Sequence, residues 1–251
     1  MENHFTAIER EKIFSLSQFS LYETSEDAEE ARRYLFDVRK IDEKVIKEFN
    51  IGYVPVRVHD KRISGKVIFP IFDCHNNLVA ISTRDFRNIS KNRGHWHESF
   101  NKKHHVYGWS QAIDSVKKSN EIIVVEGQFD VMAMHSHGYT NCIGILGSHL
   151  SIFHALLLVR YANSIIFMFD NDEAGRKAYS ESINVLGKIG LLYDKTISFF
   201  SVDLGAYKDP DELLKCSSRE DMEMHIVSSQ NRKQQNERKQ WSTNVSDLSI
   251  D

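Results

Sequence analysis

The stretch EIIVVEGQFDVMAMHSHG, residues 121–138, begins with a continuous apolar run and turns through Gly127 into a segment that ends at Gly138. The run reads as a strand buried on both faces, and the segment after it as a short helix. The same alternation continues outward. NCIGIL (141–146), SIIFMF (164–169) and KTISFFSV (195–202) read as strands, while LSIFHALLLVRYAN (150–163) and a stretch from about Asp172 to Gly190 read as helices. Strands alternating with helices make βαβ units, so this half is expected to be α/β with a mostly parallel sheet.

Upstream the pattern differs. SEDAEEARRYLFDVR (25–39) spaces Ala28, Ala31, Tyr34, Leu35 and Val38 along one face of a capped helix, and a second helix is expected from Asp42 to Phe49. Gly52 and Pro55 end the helical region. KVIFPIFD and LVAISTRDF, joined by the polar CHNN, read as a β-hairpin, with Pro70 marking an edge or a bulge. The polar stretch from Asn88 to His105 is expected to be a long loop. The chain therefore divides into a weakly helical N-terminal extension (1–24), a mixed α+β N-terminal subdomain (25–118), an α/β domain (119–216), a C-terminal helix (217–229) and a polar tail (230–251). The boundary between the two main parts falls near Ser110 to Ser119.

With 251 residues, 41% hydrophobic and 27% charged, the chain can bury a sizeable core. No run approaches the roughly 18 apolar residues of a membrane span, and MENHFTAIER lacks the order of a secretory leader. A soluble, cytoplasmic protein that needs no membrane is expected. Cys74, Cys142 and Cys216 form no C-x-x-C pair, which argues against a zinc ribbon or a disulfide framework. The formal charge of −3 conceals an asymmetry. Arg57 to Lys103 holds ten basic and four acidic residues, and the remainder is correspondingly acidic. Such a division suits a phosphate-binding surface beside a metal-binding one, although an ordinary solvated face would look similar.

The acids concentrate where the strands end. Glu126 follows the first strand and Asp130 lies one turn further on; Asp170 ends the third strand with Asp172 close behind; YKDPDELL supplies Asp209 and Asp211 after the fourth. Ligands of open parallel sheets bind at this edge. Several carboxylates gathered there would repel one another unless cations neutralise them, and oxygen ligands of this kind suit Mg²⁺ or Mn²⁺. Taken singly, Asp172 also reads as a helix N-cap and Asp209-Pro210 as a turn initiator. Neither explanation covers Glu126 or Asp170.

VVEGQFDVMA, FDNDEAGRKA and KDPDELL resemble the three acidic motifs of the TOPRIM domain, shared by bacterial primases, topoisomerases and some nucleases. YLFDVRKIDEKVIKEFNIGYVP, KVIFPIFDCHNNLVAISTRDF and FNKKHHVYG resemble the N-terminal part of the RNA-polymerase domain of DnaG-type primases. The resemblance, from about Ala31 to Leu214, implies a primase catalytic core that makes short RNA primers on single-stranded DNA by metal-assisted nucleotidyl transfer. It implies Glu126, Asp170 and Asp172 as catalytic residues. Glu126, Asp130, Asp170, Asp172, Asp209 and Asp211 would be the holders of Mg²⁺ or Mn²⁺, with Glu126 alternatively a base or an indirect ligand. Arg84, in STRDF, and Lys102 and Lys103, in FNKK, match basic positions that contact nucleotide or template phosphates.

The family's lysine-before-aromatic motif is replaced here by GHWHES, where Arg93, His95 or Trp96 would substitute as the phosphate contact. The usual zinc ribbon and helicase-binding domain are expected to be absent from a chain of this length. Ribonucleoside triphosphates, a DNA template, a replicative helicase and a separate zinc-binding or helicase-docking chain are the partners implied, an arrangement more typical of phages. A TOPRIM nuclease would share the acids without needing the basic region, and an inactive DNA- or helicase-binding module would not need six acids. Three further features carry weaker expectations. His95, His97, His104, His105, His135 and His137 would suit a transition metal or serve as polar residues near phosphates; Gly144 and Gly147 would form an anion nest or a turn that needs glycine; Trp96 and Phe100 would either stack on bases or pack in the core.

Overall fold

The structure, a computed structural model, describes residues 4–87, 95–147 and 149–246, the side chains of His95 and of residues 234–246 excepted. Two four-stranded sheets organise it. The first is antiparallel, in the order β1 (Gly52–Val54), β2 (Lys66–Phe72), β3 (Leu78–Arg84), β4 (His95–His97). The second is parallel throughout, with β6 (Cys142–Gly144), β5 (Glu121–Val125), β7 (Ser164–Met168) and β8 (Ser198–Ser201) in that spatial order. The α+β arrangement followed by a parallel α/β sheet is the one expected.

Helix α1 (Ala7–Ser20) lies on the outer face of the antiparallel sheet. It begins with a reciprocal capping box between Thr6 and Glu9, a T-x-x-E signature that marks a well-defined helix in a region whose punctuation otherwise looks weak. Its approach to β1 needs a glycine: a Cβ on Gly52 would stand 2.2 Å from Ser17 Oγ. Glu98, just beyond β4, is buried beneath α1. Its carboxylate accepts hydrogen bonds from the Phe5 and Ile81 backbone N–H groups and from Arg10 Nε and Nη2, the last at 2.6 Å.

Helix α2 (Glu26–Arg33) continues into one π-helical turn over Tyr34–Val38, and α3 (Glu43–Glu48) follows. Pro70 is tolerated in β2 because β1 pairs only with Lys66 to Ile68, so beyond it the proline has no ladder partner on that side. A register shift falls next to it, between Ile71 and Phe72. The expectation of a continuous loop from Asn88 to His105 is corrected at two points: β4 pairs with β3, and Lys102–His104 form a 3₁₀ turn. Residues 109–119, which carry no strand or helix expectation, form α4 (Trp109–Ser119).

In the parallel sheet, successive residues face opposite cores. Ile123, Val125, Ile166 and Met168 join Phe69, Phe129 and Leu213 in a core that runs between the two sheets. Ile122, Val124, Ile165 and Phe167 face α4, α6 (Ile152–Tyr161) and α7 (Glu173–Leu192) on the other side. Helix α5 (Gln128–Ser136) is the element both sheets share: the Phe129 ring meets Phe69 edge-on at 5.1 Å. Burial of such a ring contributes about 2–3 kcal/mol. Helix α8 (Pro210–Cys216) packs beside α5, and α9 (Arg219–Ser246) extends the expected C-terminal helix into the polar segment that begins at residue 230. No helix among the described residues is long and apolar enough to cross a membrane.

Candidate active site

At the carboxyl edge of the parallel sheet, β5 ends in Glu126 and β7 leads into Asp170 one strand away. The Asp170 N–H donates to Glu126 Oε1 at 3.1 Å, which locks the two loops together. A third loop joins them. Asn171 donates its backbone N–H to the Lys208 carbonyl at 2.7 Å and its side-chain amide to the Gly205 carbonyl at 2.8 Å. The loops carrying Glu126, Asp170, Asp172 and Asp209 thus meet because β5, β7 and β8 are neighbours and their parallel direction puts every loop at one edge.

Three of the acids also hold their own loops in shape. Asp172 caps α7, accepting from the Gly175 N–H at 2.8 Å; Asp209 caps α8, accepting from Glu212 at 2.8 Å; Asp130 reaches back to the Gly127 N–H at 3.0 Å. The capping and site readings of Asp172 and Asp209 are therefore compatible. Each cap uses one carboxylate oxygen and leaves the other.

The electrostatics show a crowd of like charges. Burial first, and then the charges of Asp170 and Asp172, push the Glu126 carboxyl above the usual range. Burial likewise raises Asp170, against the opposing pull of Lys208. Asp130, nearly inaccessible, is pushed up to about 7 by burial and by the charges of Asp209, Asp211 and Asp170. One cation answers them. Lys208 Nζ lies 3.1 Å from Asp170 Oδ2 and 3.3 Å from Asp209 Oδ2. Burial alone would lower its pKa, but hydrogen bonding and attraction to Asp170, with Asp209, hold it above the ordinary lysine range. Nothing in the sequence reading singles out Lys208, although a lone lysine immediately before Asp209 was the available signal.

Asp211 has a different setting. It is 4% exposed and its Oδ2 pairs with Arg39 Nη1 at 2.7 Å and with Lys215, while Oδ1 is buried without a partner among the described residues. The Arg39 guanidinium also lies 3.5 Å from the centre of the Phe129 ring. Arg39 is thus a second residue that sequence reading missed, tying the π-helical turn to α8 and α5. No group of three or more metal-ligating side chains among the described residues is drawn together at ligating distance. The donor set nevertheless fits a hard divalent cation, because an ammonium already lies between two of its carboxylates and the remaining oxygens can share the ion with water or phosphate.

Gly175 sets how closely α7 approaches this loop. A Cβ there would stand 2.0 Å from the Asp170 carbonyl oxygen. Gly175→Ala is expected to push the loop and its acids out of register. A misplacement of this size costs about a hundredfold in turnover, to be read as initial rate in the assay given below; an unchanged rate would show that the acids need no such placement.

The basic residues come from the other sheet. The Ser82 hydroxyl donates to Gln128 Oε1 at 3.3 Å, two residues beyond Glu126. Alternation along β3 puts Arg84 on the same face as Ser82, and its Nε is buried without a partner among the described residues. Lys102 is half-buried and Lys103 exposed on the 3₁₀ turn, whereas Arg93 lies outside the described residues. Lys102 is lowered by burial. Of the two readings for Trp96 and Phe100 the packing one holds, and the anion nest expected at Gly144 is corrected. The Gly144 N–H and carbonyl both bond to Tyr107, leaving no nest there. Trp96 packs against Phe5 at 5.6 Å and Phe100 against the central core. His135 and His137 bond to backbone carbonyls within their own α/β unit.

The 3₁₀ turn is held by His154 in the first turn of α6. Its Nε2 faces the carbonyls of Lys102 at 3.2 Å and His105 at 3.0 Å, while Nδ1 faces the Ser151 N–H, so the neutral ring donates from Nε2. Burial lowers its pKa below the unfolded value of about 6.5. The stabilisation is therefore whole above that pH and declines as pH falls through it, because the unfolded chain then binds the proton more readily. The thermal midpoint is expected to fall on acidification from about pH 7.5 to 5, and to fall less steeply in His154→Gln. Superimposable profiles would contradict this.

Comparison with known proteins places these features. The Toprim-like family matches residues 123–214. The DNA primase of Borreliella burgdorferi is 28% identical over 216 residues, covering 72% of this chain and 40% of that protein. The DNA primase of Rickettsia felis is 30% identical over 214 residues, covering 73% and 35%. This chain thus spans two fifths or less of the length of these relatives. Among solved structures, a DnaG catalytic core aligns with a TM-score of 0.74 at 24% identity, over 89% of this chain and 80% of that one. A DnaG primase catalytic domain bound to ssDNA aligns with a TM-score of 0.73 at 24% identity, with the same coverage.

Proposed function

We propose, from its similarity in sequence to DNA primases and in fold to a DnaG catalytic core, that the chain is a DnaG-type primase catalytic core that makes short RNA primers on single-stranded DNA. The reaction is nucleotidyl transfer: a 3′ hydroxyl attacks the α-phosphate of a ribonucleoside triphosphate and pyrophosphate leaves. The observation that supports the reading is the Lys208 ammonium between Asp170 and Asp209, on a loop tied to Glu126 through the Asp170 N–H.

Glu126, Asp170, Asp172 and Asp209 would hold Mg²⁺ or Mn²⁺, while Asp130 and Asp211 brace the loops from below. When bound, the metal supplies electrostatic stabilisation of the attacking and leaving oxygens. The chain's own residues do the rest. Lys208 keeps Asp170 and Asp209 together and moves aside as the site fills. Arg84 offers a planar pair of donors to the triphosphate, a geometry that suits phosphate oxygens. Lys102 and Lys103 take phosphates of the template. Glu126, whose proton affinity is already raised, is placed to accept the hydroxyl proton on a carboxylate oxygen. A replicative helicase is the partner through which such a core would be delivered to the fork.

A nuclease of the TOPRIM type would use the same acids but would leave the antiparallel sheet packed on α5 without a purpose. The discriminating experiment incubates the protein with single-stranded DNA, the four ribonucleotides and Mg²⁺ or Mn²⁺, with and without helicase. Short RNA is expected; cleavage of the DNA without RNA would overturn the reading in favour of a nuclease. In the same assay Arg84→Ala is expected to raise the KM for ribonucleotides about tenfold, the loss of one charge-assisted phosphate contact. An unchanged KM would remove Arg84 from the nucleotide site.

A further inference from the structure

Phe153, in the first turn of α6, is 52% exposed, and Ile152 beside it is 54% exposed. Both are apolar and both stand on a helix whose inner face is fully buried at Ala155 and Leu158. This exposed ring is not alone: His104 meets it at 4.1 Å between centroids, with the planes 67° apart. His104 belongs to the 3₁₀ turn that carries Lys102 and Lys103, and that turn is fastened to α6. The Ser151 hydroxyl donates to the Lys103 carbonyl at 2.6 Å, and His154 bonds to the carbonyls on either side. Lys102 and Lys103 have no carboxylate partner among the described residues. The nearby charges on α7 are Lys177 and Glu181, the latter engaged by His149 at 3.1 Å.

The sheet order gives this cluster its position. Helix α6 follows β6, so its N-terminus lies at the carboxyl edge of the parallel sheet, the edge that carries Glu126. Strand β6 is the direct neighbour of β5, and neighbouring strands are about 4.8 Å apart. The exposed rings and the two lysines thus flank the acids on the β6 side, opposite Asp209. An exposed aromatic face beside cations, fixed to a rigid helix, is the combination that binds bases and phosphates of single strands.

We propose that Phe153 and His104 form a stacking platform for a base of the single-stranded DNA template, with Lys102 and Lys103 engaging the flanking phosphates. The proposal rests on the primase reading and adds to it Phe153, which lies outside the acidic and basic motifs. Charge complementarity selects the occupant: the ring adjoins the turn of two lysines that have no carboxylate partner among the described residues, and these would repel a basic protein partner and attract a phosphodiester chain.

The test is fluorescence anisotropy with a labelled mixed-sequence DNA oligonucleotide, without nucleotides or metal, alongside an oligonucleotide of the same length with abasic sites throughout. Phe153→Ala and Phe153→Leu are expected to bind the ordinary oligonucleotide about tenfold more weakly, and the abasic one as well as wild type does. Phe153→Trp is expected to keep the affinity, and its added emission to be quenched on binding. Lys103→Ala is expected to weaken both oligonucleotides and to lower the salt slope by about one. Thermal melts verify that each variant is folded, and the exposed position makes Phe153→Leu and Phe153→Trp readable even if alanine disturbs α6. Unchanged affinity in Phe153→Ala and Phe153→Leu, equal losses on abasic DNA, or no binding by the wild type would overturn the platform. Primer synthesis is read separately: loss of primers with the base-dependent binding intact would defeat the primase reading alone, and normal primers with no effect of Phe153→Leu on binding would defeat the platform alone.

Discussion

Asp170→Ala is expected to reduce primer synthesis at least about a thousandfold, close to 4 kcal/mol of transition-state stabilisation, while the protein stays folded. The reasoning starts from the unliganded site. Burial and neighbouring acids already disfavour the Asp170 charge, so its removal relieves repulsion within the fold. Lys208 retains Asp209 at 3.3 Å. The lost carboxylate therefore matters to what the site binds more than to the loops that build it. Asp172 separates the two roles more sharply, because it also caps α7. Asp172→Ala should lose both synthesis and about 1 kcal/mol of stability, whereas Asp172→Asn, which still caps, should lose synthesis alone. The measurements are RNA product on a single-stranded template and the thermal midpoint of each variant. Wild-type synthesis by Asp170→Ala, or by both Asp172 variants, would refute the assignment of these acids.

Glu98→Ala is expected to cost about 3–5 kcal/mol of stability, the consequence of breaking a buried ion pair from one side. Here the removed carboxylate answers four donors at once: Arg10 Nε, Arg10 Nη2 and the N–H groups of Phe5 and Ile81. The Arg10 side chain is only 8% exposed, and its guanidinium would be left with just the Phe5 carbonyl and a longer contact to that of Leu78. For a chain of this size the thermal midpoint should fall by about 10 °C. Combining Glu98→Leu with Arg10→Met should restore part of the loss, because no unpaired charge is left buried while the Phe5 and Ile81 N–H groups still lack an acceptor. A midpoint within about 2 °C of wild type for Glu98→Ala would show that α1 is held by apolar packing alone.

The two predictions differ in how far they are visible before folding. Glu126 and Asp170 stand out because each interrupts an apolar run at the point where a parallel strand must end, a pattern local to a few residues. Asp172 and Asp209 read as caps or as ligands, and the folded loops show that one oxygen of each does the capping. Arg10 and Glu98 carry no such mark. They are separated by 88 residues and lie in segments that look like a weak helix and a polar loop. Arg39 and Asp211, 172 residues apart, are equally silent in sequence.

The sequence by itself determined the parallel sheet, the three acidic loops and the hairpin that precedes them, because hydrophobic periodicity and the acids that end each run are local features of the chain. Tertiary structure decided which charges meet. It set Lys208 between Asp170 and Asp209, gave Asp211 to Arg39, sealed Glu98 beneath α1 and left Phe153 bare beside two lysines. Those pairings depend on strand order and on the packing of one sheet against the other through α5, and the free energy of a charge depends on the burial and partners it acquires there.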